Sequence, residues 1–116
     1  MIARLAERGG VIGVVLYNAY LSPDWTHGDG RTVTLDAVVD VIDHICQRLG
    51  GCANVGIGSD FDGGLGWENN IPRELDTVAD LLLIGDALRA RGYTEDDVKA
   101  IMGGNWLRLY REGLPA

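Results

Sequence analysis

Asn54-Val55-Gly56-Ile57-Gly58-Ser59-Asp60-Phe61-Asp62-Gly63-Gly64 decides how this chain is read: a short apolar run with two glycines, then two carboxylates, then a glycine pair. An apolar run bounded by turn-forming residues reads as a short buried strand, and the carboxylates fall where that strand ends. Upstream, Val11-Ile12-Gly13-Val14-Val15-Leu16 is a second run, rich in β-branched residues and bounded by glycines. It reads as a strand buried on both faces, the kind found in parallel sheets. Between the two, Thr34 is placed to cap a helix running to Leu49. Leu35, Val38, Val39, Ile42, Ile45, Cys46 and Leu49 form one stripe of that helix, with Asp36, Asp40, Asp43, His44 and Gln47 opposite. Strand, helix, strand is the right-handed crossover unit of an α/β fold. In such sheets chemistry gathers beyond the C-terminal strand ends, where Asp60 lies.

The flanking segments extend this unit. Residues 1–8 have helical spacing that Gly9-Gly10 stops, and Tyr17 to Thr34 is a long loop rich in Asn, Pro, Asp, Gly and aromatic residues. After Asp62 a polar loop is expected to reach Pro72. A helix is expected from about Thr77 to Arg91, apolar on two sides (Ala79, Leu82, Leu83 and Leu81, Ile84, Leu88) and so covered on both. Thr94-Glu95-Asp96-Asp97 is a capping box for a short helix that Gly103-Gly104 breaks, and a last helix begins at Asn105, burying Trp106, Leu107 and Tyr110. No repeat or low-complexity linker interrupts residues 1–116, which read as one domain or part of one.

The 116 residues are 47% hydrophobic and 23% charged, the balance of an ordinary globular protein. A net charge of −7 without any Lys/Arg-rich run excludes a nucleic-acid surface, which needs clustered cations. No run approaches the length of a transmembrane segment. Cys46 and Cys52 match neither a redox C-x-x-C nor a Cys/His metal motif, and the expectation is two buried thiols in a reducing compartment.

Several readings compete for Asp60-Phe61-Asp62-Gly63 on its residues alone. A carboxylate at a strand end can bind a metal or take a proton from a water, whereas the same aspartates could simply cap the next turn. A calcium loop fails for want of a third oxygen ligand before the glycine and a terminal Glu. A phosphoaspartate motif of the haloacid-dehalogenase kind is close in form, but Gly64 stands where a hydroxyl residue is needed. His27, beside Trp25, and His44, opposite the helix's apolar stripe, read as surface residues.

Five segments in order resemble the membrane (renal) dipeptidase family, peptidase family M19. Glu7 to Tyr17 is similar to that family's "ENGGVIGVNFY", Val41-Ile42-Asp43-His44-Ile45 to "HIDHI", and Val55 to Gly63 is identical to "VGIGSDFDG". Gly92 to Val98 and Gly103 to Arg108 resemble "GYTEEDV" and "GGNFLR". The resemblance implies an α/β fold that is the C-terminal portion of a metal-dependent-hydrolase (β/α)8 TIM barrel, strands seven and eight with their helices. It implies zinc-dependent hydrolysis of dipeptides. Asp60 would be the catalytic carboxylate handling the proton of a water between two zinc ions, Tyr20 a substrate-binding residue, and Asp62 a supporting residue behind the site. The family's zinc ligands, a His-x-Asp, a bridging Glu and two histidines, match nothing here. The implied partners are therefore a dipeptide, the N-terminal barrel segment and, in the intact enzyme, a second subunit of a homodimer. A cytoplasmic location is the default that the resemblance implies, from the family's bacterial members. The chain alone is expected to be inactive and, with strand edges open, to self-associate or stay partly molten.

Overall fold

A computed structural model of the chain describes residues 1–61 and 69–115. Asp62 and the stretch through residue 68 therefore lie outside the described residues. Helix α1 (Ile2–Glu7) leads into strand β1 (Ile12–Val14). A short helix α2 (Asn18–Leu21) and a 3-10 turn at His27–Asp29 fill the following loop, and the long helix α3 (Leu35–Leu49) returns the chain to strand β2 (Val55–Ile57). The strands pair in parallel, with Ile12 opposite Val55, Gly13 opposite Gly56 and Val14 opposite Ile57. The crossover unit expected from the sequence is thus present.

The two faces of the strand pair differ sharply. Val14, Leu16 and Val55 point to one face and join α3's stripe of Leu35, Val38, Val39, Ile42, Ile45 and Cys46 in a single buried cluster. Each such side chain contributes roughly 1.5–3 kcal/mol by leaving water. The other face carries Gly13 and Gly56, and the Trp106 indole occupies the space above them. Val11–Leu16 is therefore not buried on both faces as expected. Gly13 is open enough to count as exposed, and Val15 is only half-buried.

Helix α3 ends as its sequence requires. Gly50 adopts φ 74°, a left-handed conformation that costs a glycine little, and Gly51 N donates to Cys46 O. Its start departs from expectation: Thr34 is the N-cap residue, but its side chain makes no capping bond, and the Glu74 carboxylate accepts from Leu35 N at 2.8 Å instead. A negative group is well placed there, against the positive end of the helix dipole. Cys46 and Cys52 are not separate thiols, because the turn at Gly50-Gly51 folds back and their sulfurs form a disulfide.

Beyond the 3-10 turn at Val78–Leu81, helix α4 (Leu82–Ala90) buries Ile84, Gly85 and Leu88. Covering on two sides is not observed: α4 packs on α3 and on helix α5 (Glu95–Lys99), while Leu82 on its other side is 74% exposed. Thr94 caps α5, its hydroxyl accepting from Asp97 N. The glycine pair expected to break the helix makes a kink instead. A π turn at Ala100–Gly104, with Gly103 at φ 172°, carries α5 into helix α6 (Asn105–Gly113). The last helix packs by a different set of residues from the expected one. Asn105 is buried and Trp106 half-buried, whereas Leu107 and Tyr110 are more than half exposed, because Asn105, Trp106 and Arg108 bond to carbonyls of β2 and of the turn before it and so turn the other side outward. No helix among the described residues is long and apolar enough to cross a membrane.

Candidate active site

Asp60 follows the C-terminal end of β2 and adopts φ 56°, the only non-glycine residue with positive φ among those described. That conformation costs most side chains about 1–2 kcal/mol, and Asp and Asn tolerate it best. It reverses the chain so that Phe61 packs back against the core while Asp60 stays exposed. No hydrogen bond or ion pair engages the Asp60 carboxylate among the described residues, which leaves both oxygens open to an incoming group.

Tyr20 sits in α2, beyond the C-terminal end of β1, and is 67% exposed; its ring meets the Tyr17 ring edge-on at 5.0 Å. Because β1 and β2 are parallel neighbours, the loops bearing Tyr20 and Asp60 leave the sheet at the same end. No bond joins the two, and Tyr20 also borders a cavity along β1 and α3 with Ile12, Val41 and Ile45. Asp62 falls outside the described residues. His27 lies at the surface, its ring edge-on to Trp25 at 5.1 Å, and His44 is exposed on α3, as their surroundings in the sequence suggested.

A residue that sequence reasoning passed over supports this end. Asn18 is fully buried; its backbone N–H donates to Asn70 O at 2.7 Å and its Nδ2 to Ile71 O at 3.2 Å. It thereby ties the Tyr20 loop to the chain that returns after Asp60. Its signal was a polar residue directly after an apolar strand, in register with the buried Val14 and Leu16. Its Oδ1 is buried and has no partner among the described residues, a position a water molecule can satisfy.

Among the described residues, no three His, Cys, Asp or Glu side chains converge closely enough to hold a metal ion. Asp36 and Asp40 face Arg91, and Asp43 accepts a short hydrogen bond from the Tyr93 hydroxyl. Burial and this carboxylate push the Tyr93 phenol up to about 12. A dinuclear zinc site does not fit the described residues by themselves.

The model of the membrane dipeptidases, peptidase family M19, matches residues 1–113. The chain belongs to the membrane dipeptidase family. This membership favours the dipeptidase reading of Asp60-Phe61-Asp62-Gly63 over the phosphoaspartate one. Curated relatives include an uncharacterised protein encoded upstream of pqqA in Klebsiella pneumoniae, 34% identical over 92% of this chain and 36% of its own length. An uncharacterised dipeptidase of Schizosaccharomyces pombe is 32% identical over 96% of this chain and 25% of its own length. Dipeptidase aclJ of Aspergillus oryzae is 32% identical over 94% of this chain and 24% of its own. Among solved structures, a metallopeptidase of the same family, dipeptidase AC, superposes with a TM-score of 0.83 at 30% identity, over 99% of this chain and 32% of that one. A metallopeptidase of Rhodobacter sphaeroides, liganded with a phosphinate mimic of the dipeptide L-Ala-D-Ala, gives 0.80 at 29% identity, over 97% of this chain and 30% of that one. This dipeptidase-family chain thus spans roughly a third or less of the length of these proteins. Its strand–helix–strand unit is consistent with the C-terminal part of a TIM-barrel-like fold.

Proposed function

We propose that this chain forms part of a zinc-dependent metallopeptidase that hydrolyses dipeptides, with Asp60 as its catalytic carboxylate and Tyr20 as a substrate contact. The observation that carries the reading is Asp60 itself: a carboxylate without a partner among the described residues, held in a left-handed conformation directly beyond β2, at the end of the sheet where the Tyr20 loop also emerges. Hydrolysis of a peptide bond requires a group that removes a proton from the attacking water and returns one to the nitrogen as the C–N bond breaks. A carboxylate with both oxygens open performs both transfers. Tyr20 presents a phenol that can donate to a substrate carbonyl or carboxylate. The ligand of the Rhodobacter sphaeroides relative, a dipeptide mimic, supports the substrate class.

Zinc in this reading is held by groups from outside this chain, since the described residues converge no ligand set. When bound, it supplies Lewis-acid polarisation of the carbonyl and of the water. The chain alone is therefore inactive in this reading. Calorimetric titration of the isolated chain with zinc should show no tight binding, and sub-micromolar affinity would overturn the assignment of the ligands. In the dipeptidase that contains this chain, Asp60→Asn should abolish dipeptide hydrolysis while leaving zinc content unchanged; retained turnover would remove Asp60 from the mechanism.

A further inference from the structure

We infer that Asn18 is a positioning residue: its buried amide docks helix α2 onto the segment that returns after Asp60, and so fixes the turn from which Tyr20 projects. The inference rests on the reading of Tyr20 given above, whereas the geometry behind it does not. Helix α2 is a single turn of four residues, too short to hold itself together in water. No side chain caps its start, so its first N–H groups need partners from elsewhere. The Asn18 N–H finds one in Asn70 O at 2.7 Å, and Nδ2 of the same residue donates to Ile71 O at 3.2 Å, with Asn69 O at 3.5 Å. Backbone and side chain of one residue thus engage three successive carbonyls. Leu21, buried in the core, anchors the other end of the turn. With Asn18 and Leu21 both held, Tyr20 between them has only its own side chain to move.

This tie involves no strand edge. It joins the loops that follow β1 and β2, two strands already paired with each other, and Asn18 and Ile71 are both fully buried within this chain. Segments that complete the protein therefore pack outside the contact and leave it in place. The receiving segment is itself held from its other half, because Arg73 N donates to Val33 O at 3.0 Å and Arg31 donates to Arg73 O at 2.7 Å and to Leu75 O at 3.3 Å. It is a fixed base for α2, not a loop that would follow α2 if that turn moved. An amide suits this position because its nitrogen carries two donors where two carbonyls converge. A carboxylate of the same shape has none and sets negative charge against those carbonyls. Alanine leaves space in which a water can bond the carbonyls without tying them to α2.

The test is made in the dipeptidase containing this chain and compares Asn18→Asp and Asn18→Ala with Val98→Ala, a buried truncation on α5, as the control for lost stability alone. Both changes at Asn18 should raise KM about tenfold with kcat within about twofold, the pattern of a lost substrate contact. Both should also shift the fluorine resonance of a fluorotyrosine placed at position 20, and Val98→Ala should do neither. In a Tyr20→Ala background, Asn18→Asp should lower kcat/KM by less than about twofold further, since the turn then has no contact to misplace. If Asn18→Asp does not fold, Asn18→Ala alone decides. An unchanged KM or an unchanged fluorine resonance, with Tyr20→Ala impaired, would overturn the role of Asn18 and leave Tyr20 in place. Equal losses with and without the Tyr20 side chain would overturn it as well. If Tyr20→Ala turns over substrate like the unmodified enzyme, the reading of Tyr20 fails, and the fluorine resonance still decides whether Asn18 fixes the turn.

Discussion

The two ends of the strand pair are built by opposite means. At the N-terminal ends nearly every available carbonyl is taken: Asn54 bonds Gly10 O, Asn105 bonds Cys52 O and Val55 O, and Arg108 bonds Gly9 O and Ala53 O. The Cys46–Cys52 disulfide fastens the same end to α3. At the C-terminal ends Tyr20 and Asp60 stand exposed, and Asp60 occupies a backbone region that most residues avoid. In the proposed reading one end is organised for stability and the other for chemistry, the division of labour of barrel enzymes, in which strand-end loops on one face carry the active site. The difference teaches that substitutions at the two ends should move different observables.

The largest expected effect lies at the open end. Asp60→Asn keeps a residue type that tolerates φ 56°, and should cut turnover of the complete dipeptidase about a thousandfold while the melting temperature moves by less than about 2 °C. A large loss of stability would erase the contrast between the ends. Next comes Asn105→Leu at the closed end. It leaves two buried carbonyls without a donor and should cost about 3 kcal/mol, read from urea denaturation. A cost below about 1 kcal/mol would show that the base is not where stability resides.

Reduction of the Cys46–Cys52 disulfide should cost about 2 kcal/mol, because the bond closes only a short loop. Urea midpoints measured with and without reductant check this, and an unchanged midpoint would remove the disulfide from the closed end's framework. The smallest effect concerns Tyr93, bonded to Asp43 of α3 away from both ends. Burial first, and the Asp43 carboxylate second, raise the phenol from 10.0 to about 12. A raised folded-state value means that stability is complete below pH 10 and falls as pH rises through 12, since the unfolded chain ionises first. Tyr93→Phe should remove that decline between pH 10 and 12, and an identical alkaline profile in the variant would exclude Tyr93 as its source.

Much of this was legible in the chain. The 3.6-residue spacing of Leu35 to Cys46 specified α3 and its buried face, since one stripe of a helix must find cover. The carboxylate after Val55-Gly56-Ile57-Gly58 was legible because a strand that ends in glycines must open into a loop. What escaped were contacts made across long sequence separations. Glu74 caps α3 from 39 residues away, and no local pattern marks it. Trp106 was expected in the core as one apolar residue among several. Its seat depends on Gly13 and Gly56 being small on the same side of two strands, a coincidence visible only once the register is known. The cysteines were misjudged because their spacing matches no motif, whereas the turn at Gly50-Gly51 alone brings them together. Asp62 is expected, on the resemblance alone, to support the site from behind.

The left-handed backbone at Asp60 also bears on how this sequence would evolve. Glycine is the residue that position favours on conformational grounds, so Asp60→Gly should make the chain more resistant to heat by about 1 kcal/mol while deleting the carboxylate. A lineage selected only for thermal endurance would drift to glycine there within a single codon change. If Asp60 is the catalytic carboxylate proposed above, aspartate at that point is a record of selection for turnover, and a directed-evolution screen on stability alone would be blind to the loss.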